Sequence, residues 1–181
     1  MRVGIGYDIH RFDSRRPLRL GGVTIPFARG LSGHSDADVL LHALADALLG
    51  AVGARDLGEQ FPSSDPRYRN ANSRTFVEMA SRIVRQKGWI VGNVDATLIT
   101  DAPRLSAYKE PMCRAISQLL AIRLTQVSVK AKTTEGFTPG KGGIAAHAVV
   151  LLKKARGSKW RMKGKHTPSQ PPRAQSRRSS L

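Results

Sequence analysis

The chain has 181 residues, of which 40% are hydrophobic and 24% are charged. That composition supports one globular domain with a real core and excludes a chain that is disordered throughout. The formal net charge is +17, but residues 153–181 carry ten of the 30 Lys and Arg residues and none of the 13 Asp and Glu residues. We therefore predict one domain over residues 1–152, which keeps a charge of +7, and a basic, disordered tail over residues 153–181.

Hydrophobic periodicity predicts strands and helices in mixed order along the domain. The predicted elements are, in chain order, a strand over residues 2–7, a β-hairpin over 17–26 around Gly21-Gly22, a helix over 39–49, a long loop over 55–71, a helix over 72–88, a strand over 91–100, a helix over 106–121, and strands over 126–133 and 144–152. This order indicates an α+β fold with a small hairpin, in which helices cover one face of a mixed β-sheet.

The residues before and within the first predicted helix carry two polar signals. Ser35 and Asp38 have the spacing of a capping box, which predicts Ser35 as the N-cap residue. Asp38, His42 and Asp46 follow at intervals of four on an otherwise apolar helix. Such a stripe either faces solvent or gives a metal-bound His42 its carboxylate partners, and the pattern leaves both interpretations open.

Asp8 and His10 lie two residues apart near the end of the first predicted strand, so their side chains point to the same side. Together with His42 they offer the ligand types that zinc prefers, with a fourth position left open for substrate. The same spacing would arise if Asp8 capped a turn and His10 lay on the surface without binding a metal. If the helix start at His34 and Ser35 binds phosphate, a metal and a helix N-terminus would flank one phosphoryl group.

Two glycine-containing stretches fail as nucleotide-binding motifs. Gly4-Ile5-Gly6 lacks the third glycine of a dinucleotide fingerprint, and residues 136–142 lack the spacing of a phosphate-binding loop. We interpret both as turns. The single cysteine, Cys113, excludes an intramolecular disulfide, and no apolar run approaches the roughly 20 residues that span a bilayer. The first residues also lack a signal peptide, so the sequence predicts a cytoplasmic protein without a membrane partner.

Several segments keep the order and the spacing of one known family. They are GIGYDIH (4–10), GHSDADVLLHAL (33–44), DLG (56–58), FPSSDP (61–66), GNVDAT (92–97) and VKAKTTEG (129–136). Together they closely resemble the 2-C-methyl-D-erythritol 2,4-cyclodiphosphate synthase family. The resemblance implies an enzyme of non-mevalonate isoprenoid biosynthesis that converts 4-diphosphocytidyl-2-C-methyl-D-erythritol 2-phosphate into the cyclic diphosphate and CMP. The substrate's own 2-phosphate attacks the β-phosphorus, so no protein nucleophile is required.

The resemblance also assigns roles to individual residues. It implies Zn²⁺ bound by Asp8, His10 and His42, with a β-phosphate oxygen of the substrate as the fourth ligand, and a second divalent cation, expected to be Mg²⁺, at Glu135. The residues implied to contact the methylerythritol and its phosphates are His34, which also stabilises the transition state, Ser35, Asp56, Leu57, Gly58, Phe61, Pro62, Ser63, Ser64 and Asp65. The cytidine segment is Thr100, Asp101, Ala102, Pro103, Arg104, Leu105 and Ser106. The diphosphate segment comprises Lys132, Thr133, which is implied to act on phosphate in catalysis, Thr134, Glu135, Phe137 and Lys141.

The family is a homotrimer, which implies sites at subunit interfaces, with the cytidine segment and the zinc ligands coming from different chains. This chain departs from the family pattern at two places. Two residues are missing after Glu135, where Lys141 is left to supply the charge of an arginine, and Ser63 stands where an aspartate is usual.

Two other functions remain open from the residues alone. The basic tail would suit a nucleic-acid-binding protein, although we expect only non-specific contact through the tail. Asp8, His10 and His42 would also suit a zinc phosphohydrolase that uses a metal-activated water.

Overall fold

The computed structural model describes residues 1–136 and 142–155. The strands are β1 (Arg2–Asp13), β2 (Leu18–Leu20), β3 (Val23–Ile25), β4 (Gly30–Leu31), β5 (Trp89–Ile99), β6 (Val127–Lys132) and β7 (Gly143–Lys154). The α-helices are α1 (Val39–Ala51), α2 (Leu57–Gln60), α3 (Ser73–Gln86) and α4 (Lys109–Leu120). Short 3-10 turns cover Pro66–Tyr68, Ser106–Tyr108 and Leu124–Gln126. Phe137, Lys141 and residues 156–181 of the predicted tail lie outside the described part.

Five strands form one sheet in the order β4-β1-β7-β5-β6. The sheet is mixed because β5 and β6 run parallel while the other neighbouring strands run antiparallel. The predicted hairpin around Gly21-Gly22 is confirmed as the separate pair β2-β3. Helix α1 packs on β1 and β7, α3 packs on α1 and β5, and α4 packs on β6. The α+β prediction, with helices on one face of a mixed sheet, is therefore confirmed.

Helix α1 forms the centre of the core because it is apolar on nearly all sides. Ten of its thirteen residues are buried, which is the expected pattern for a helix enclosed by other elements rather than laid on a surface. Ala37, two residues before the helix, has a positive φ of 59°, and this left-handed conformation separates the helix from the preceding segment.

The N-cap residue of α1 is Asp38, so the prediction of Ser35 is wrong. The Asp38 side chain accepts hydrogen bonds from the backbone of Leu41 at 3.1 Å, Gly21 at 2.8 Å and Gly22 at 2.7 Å. A fully buried carboxylate therefore joins the hairpin turn to the helix start. The Ser35 hydroxyl instead accepts from the backbone of Ala37.

Other differences from the sequence prediction are local. Strand β1 does not end near Tyr7 but continues to Asp13, because its second half pairs with β4 and β7. The predicted loop over residues 55–71 contains α2 and a 3-10 turn. The helix predicted from residue 106 begins with a 3-10 turn, and α4 follows from Lys109. Each difference reflects tertiary pairing or capping that the local pattern does not encode.

Gly4 and Gly6 are packing positions in β1 rather than a turn. A Cβ atom at Gly6 would lie 2.0 Å from the Ala43 carbonyl oxygen, and one at Gly4 would lie 2.0 Å from the Ala47 carbonyl oxygen. Only a residue without a side chain allows α1 to approach the strand this closely. This contact sets the position along α1 at which the next inward-facing residues of β1 pack.

We expect Gly6→Ala to lower the free energy of unfolding by about 3 kcal/mol, because the helix backbone must move away from the strand. Urea unfolding followed by circular dichroism measures the effect. Gly50→Ala is the matched control, since the nearest neighbour of its added Cβ is the Ile5 carbonyl oxygen at 3.9 Å and the helical backbone there favours alanine. Equal stability of the Gly6 variant and the wild type would contradict the packing role.

The face of the sheet that the helices do not cover is apolar along β1. Val3, Ile5, Tyr7 and Ile9 alternate with the inward-facing residues and are between 50% and 68% exposed. Val149 of β7 lies on the same face opposite Ile5. A continuous exposed apolar strip of this kind is typical of a protein interaction surface. Among the described helices, none combines the length and the apolar character needed to cross a membrane.

Candidate active site

Asp8, His10 and His42 meet at one end of the contact between β1 and α1. Asp8 Oδ2 lies 2.8 Å from His10 Nε2 and 2.9 Å from His42 Nδ1, and the two ring nitrogens are 3.2 Å apart. Asp8 and His10 follow Gly4 and Gly6 on the inward side of β1, so the close packing of the strand on α1 brings them level with His42. The predicted convergence of these three side chains is confirmed.

The three donor atoms fit a divalent metal ion. Two ligands bound to one tetrahedral zinc ion at about 2.0–2.1 Å lie about 3.3 Å apart, which is close to the observed separations. A carboxylate oxygen and two imidazole nitrogens are also a donor set that suits zinc. One carboxylate oxygen and two imidazole nitrogens within reach of a single position make these residues a candidate metal site.

Each imidazole is held by a partner on its other nitrogen. His10 Nδ1 lies 2.5 Å from the Ser32 carbonyl oxygen, which can only accept, so Nδ1 carries the proton and Nε2 is left as a ligand. His42 Nε2 lies 2.9 Å from Ser73 Oγ and 3.0 Å from Ser35 Oγ. The Ser73 hydroxyl in turn donates to Asp36. These contacts orient both rings toward the metal position.

Neither interpretation of the Asp38, His42 and Asp46 stripe is correct. Asp38 caps α1 and binds the hairpin, while Asp46 accepts a hydrogen bond from the backbone of Leu57 at 2.8 Å. The partners of His42 are hydroxyl groups from outside the helix. The stripe is therefore used to attach neighbouring segments to α1.

The charge of Asp8 is maintained by its histidine neighbours. Burial acts to raise the pKa of the Asp8 carboxyl, but hydrogen bonds from His10 and His42 outweigh it and hold the pKa well below its usual range. For His10, burial acts to lower the pKa, and the Asp8 carboxylate reverses this and raises it. Asp8 is consequently an anion at neutral pH, as a metal ligand must be.

A cavity of about 370 Å³ opens over His10 and His42, two of the three ligands. Ten residues that the sequence analysis assigned to the site line this cavity: His10, His34, Ser35, His42, Leu57, Gly58, Phe61, Pro62, Ser63 and Ser64. Asp56 lies beside it and caps α2, accepting from the backbone of Glu59, while Asp65 caps the following 3-10 turn and pairs with Arg67. The metal site and most of the residues implied to bind methylerythritol therefore share one cleft.

Tyr68 and Phe76 also line this cavity and were not predicted as site residues. They pack with Phe61, with ring centroids between 5.3 and 5.8 Å apart, and form an apolar wall that reaches the metal ligand His42 through Phe76, at 5.9 Å between ring centroids. Ser73, the hydroxyl partner of His42, was also missed. In the sequence, Ser73 and Phe76 were recognisable only as residues of the predicted helix over 72–88, and Tyr68 fell in the predicted loop over 55–71.

The cytidine and diphosphate segments lie together at the ends of β5 and β6, away from the lining of this cavity. Asp101 accepts hydrogen bonds from the backbone and the hydroxyl of Thr134 at 2.8 and 2.5 Å, which joins the two segments. Thr133 donates to the Glu135 carboxylate. None of the described residues from Thr100 to Ser106 or from Lys132 to Glu135 lines the metal cavity of its own chain.

Comparisons with known proteins match the part of the chain that was predicted to form the domain. The sequence model of the YgbB family matches residues 1–153. A 2-C-methyl-D-erythritol 2,4-cyclodiphosphate synthase from Geobacillus thermodenitrificans (strain NG80-2) is 51% identical over 156 residues, covering 85% of this chain and 98% of that protein. One from Pseudomonas putida (strain W619) is 53% identical over 154 residues, covering 84% of this chain and 98% of that protein.

A solved structure of 2C-methyl-D-erythritol-2,4-cyclodiphosphate synthase in a CDP-bound form has the same fold. It matches with a TM-score of 0.79 and 38% identity, and the match covers 84% of this chain and 100% of that chain. The family match, the identity of the relatives and the shared fold all extend over the domain that carries Asp8, His10 and His42. This chain therefore belongs to the YgbB family.

Proposed function

We propose that this chain is a phosphorus-oxygen lyase that converts 4-diphosphocytidyl-2-C-methyl-D-erythritol 2-phosphate into 2-C-methyl-D-erythritol 2,4-cyclodiphosphate and CMP. The step belongs to non-mevalonate isoprenoid biosynthesis. The observation that carries the proposal is the convergence of Asp8, His10 and His42 beneath a cavity lined by His34 and Ser35. A metal site beside a polar loop and a helix start suits charge neutralisation on a diphosphate.

The chain contributes binding and orientation to this reaction. Bound by Asp8, His10 and His42, a zinc ion would withdraw negative charge from the diphosphate. His34 and Ser35, which line the same cavity, hold the methylerythritol phosphates, and His34 stabilises the charge that develops on transfer. The apolar wall of Phe61, Tyr68 and Phe76 excludes water from the cavity floor, which favours attack by the substrate's own phosphate over hydrolysis.

Glu135 is the proposed ligand of a second divalent cation, Mg²⁺, beside Thr133 in the diphosphate segment. We expect Glu135→Gln to raise the Mg²⁺ concentration needed for half-maximal turnover by about tenfold, because a neutral amide binds a hard cation less well. A magnesium titration of the CMP-release rate measures the change. Glu110→Gln, an exposed carboxylate on α4 paired with Arg114, is the control. An unchanged titration curve for the Glu135 variant would refute this assignment.

A homotrimer would complete the site. The cytidine segment lies outside the metal cavity of its own chain, so the nucleoside must be bound by another copy if both parts act on one substrate. The exposed apolar strip of β1 provides a surface for that assembly. Both observations support the shared site that the family resemblance implies.

We place the protein in the cytoplasm and treat the basic tail that follows β7 as dispensable for catalysis. We expect deletion of residues 155–181 to leave kcat/KM within about twofold of the full chain, because the site is built from residues that precede the deletion. The measurement is the CMP-release rate of the two proteins side by side. Loss of turnover in the shortened chain would instead favour a tail that acts in catalysis or in polyanion binding.

Product analysis tests the proposed reaction itself. The full chain is incubated with the substrate, Zn²⁺ and Mg²⁺, and the products are resolved by phosphorus NMR and by chromatography of the nucleotide. We expect CMP and the cyclic diphosphate in equal amounts. Inorganic phosphate or a linear diphosphate would identify a zinc phosphohydrolase and overturn the proposal.

A further inference from the structure

A second open cavity, of about 540 Å³, adjoins the metal cavity and has no role so far. The two cavities share His34, Ser63 and Ser64 as lining residues. The second cavity is also lined by the side chains of Arg16 and Arg69, and none of the described residues that line it carries a carboxylate. It is therefore a positively charged compartment directly beside the metal site.

Arg16 is fixed at the wall between the two cavities. Its guanidinium donates one hydrogen bond to the Ser35 carbonyl oxygen and another to Asn70 Oδ1, at 3.3 Å. The backbone N–H of Asn70 donates to the His34 carbonyl oxygen at 2.8 Å, which holds the same two segments together. Two of the five N–H donors of Arg16 are used in these contacts, so the others remain to bind a ligand in the cavity.

Arg69 lies next to Asn70 in sequence and is exposed at the cavity. Arg67, two residues earlier, is by contrast paired with Asp65 at 2.6 Å and does not line the cavity. The segment thus presents one arginine to a carboxylate and the other to the cavity. A guanidinium always carries its charge at neutral pH and matches the oxygens of a phosphate group in pairs.

We propose that Arg16 and Arg69 act beside His34, which lines both cavities, and bind the 2-phosphate of the substrate, the group that attacks in the cyclisation. This inference rests on the proposed function. The substrate has two anionic parts, and the metal cavity takes the diphosphate. The other part is a phosphate monoester with nearly two negative charges, and it must lie beside the diphosphate to react. The adjoining cavity supplies both the position and the matching charge.

The alternative is that Arg16 only supports the wall and that Arg69 is an ordinary surface residue. A comparison of two ligands separates these cases. CDP contains the diphosphate but no 2-phosphate, whereas the full substrate contains both. A residue that binds the 2-phosphate affects the substrate and spares CDP, while a residue that only supports the wall affects both or neither.

The test uses Arg69→Ala, because its exposed side chain is not required for folding, with Arg67→Ala as the control for lost charge in the same segment. We expect Arg69→Ala to raise KM for the substrate by about 10- to 100-fold, as for loss of a charge-assisted hydrogen bond. Its Kd for CDP, measured by calorimetry, and its zinc content should stay within about twofold of wild type. Arg16→Lys should also raise KM, since lysine keeps the charge but not the two-point contact.

The inference is overturned if Arg69→Ala leaves KM unchanged, or if its affinity for CDP falls as much as its KM rises. It is also overturned if Arg67→Ala has the same effect as Arg69→Ala, since general surface charge would then explain the result. Failure of the proposed function is distinguishable from these outcomes, because the wild-type protein would then release no CMP with the cyclic product.

Discussion

Replacement of His42 by alanine is expected to remove bound zinc and to reduce turnover by about a thousandfold or more. His42 supplies one of three protein ligands, and two remaining ligands bind zinc weakly. The fold should persist, because the core surface of α1 is formed by the aliphatic residues around His42. Zinc content by atomic emission and the rate of CMP release measure the two effects.

Asp8→Ala should behave like His42→Ala, and Asp13→Ala is the matched control. Asp13 ends the same strand but pairs with Arg15 at 3.0 Å and lies outside the group of three ligands. The Asp13 variant should keep both zinc and turnover. Zinc retained at wild-type stoichiometry in the His42 and Asp8 variants would show that the metal binds elsewhere.

Replacement of Ile5 by aspartate is expected to dissociate the proposed trimer and to abolish turnover while zinc remains bound. Ile5 lies at the middle of the exposed strip of β1 and is 68% exposed in the single chain. A carboxylate there would have to be buried without a partner on assembly, which costs several kcal/mol at each interface. Sedimentation gives the oligomeric state, and metal analysis gives the zinc content of the same sample.

Leu124→Asp is the control for Ile5→Asp. Leu124 is 38% exposed in a 3-10 turn away from the strip, so the same type of substitution should leave assembly intact. A fully active, monomeric Ile5 variant would contradict the shared site.

Mixing of two inactive variants provides a second readout of the shared site. His42→Ala lacks a metal ligand and Thr133→Ala alters the diphosphate segment, so each homotrimer should have little activity. When the two are unfolded and refolded together, about a quarter of the interfaces should pair an intact metal site with an intact segment. Activity should then rise well above that of either variant alone. If no activity is regained, the metal ligands and the diphosphate segment that act on one substrate belong to the same chain.

The sequence predicted the main elements because their signals are local. The helix around His42 and the hairpin around Gly21-Gly22 depend on periodicity and on residues that permit positive φ, and both are present. The pairing of β1 with β4, and the hydrogen bonds that Asp38 accepts from Gly21 and Gly22, join segments that are far apart in the chain. A strand of two residues or a single buried carboxylate produces no repeating hydrophobic pattern by which it could be recognised in the sequence.

The residues of the candidate site also fall into those that the sequence could identify and those that it could not. Asp8, His10 and His42 were identifiable from ligand chemistry and from the order of the family segments. Ser73 and Phe76 were not, because a serine at a helix start and a phenylalanine on its inner face have ordinary structural uses. Arg16 and Arg69 were also hidden, since their common cavity arises only when the segment after β1 packs beside the turn at Asn70.

A crystal structure of the full chain with Zn²⁺ and CDP, using anomalous scattering at the zinc edge, tests the metal site and the shared site together. We expect one anomalous peak per chain among Asp8, His10 and His42, with a phosphate oxygen of CDP as the fourth ligand. We also expect the cytidine of that CDP to lie against the segment from Thr100 to Ser106 of a neighbouring chain. A zinc peak elsewhere, or CDP whose diphosphate lies away from the three ligands, would contradict the proposed site.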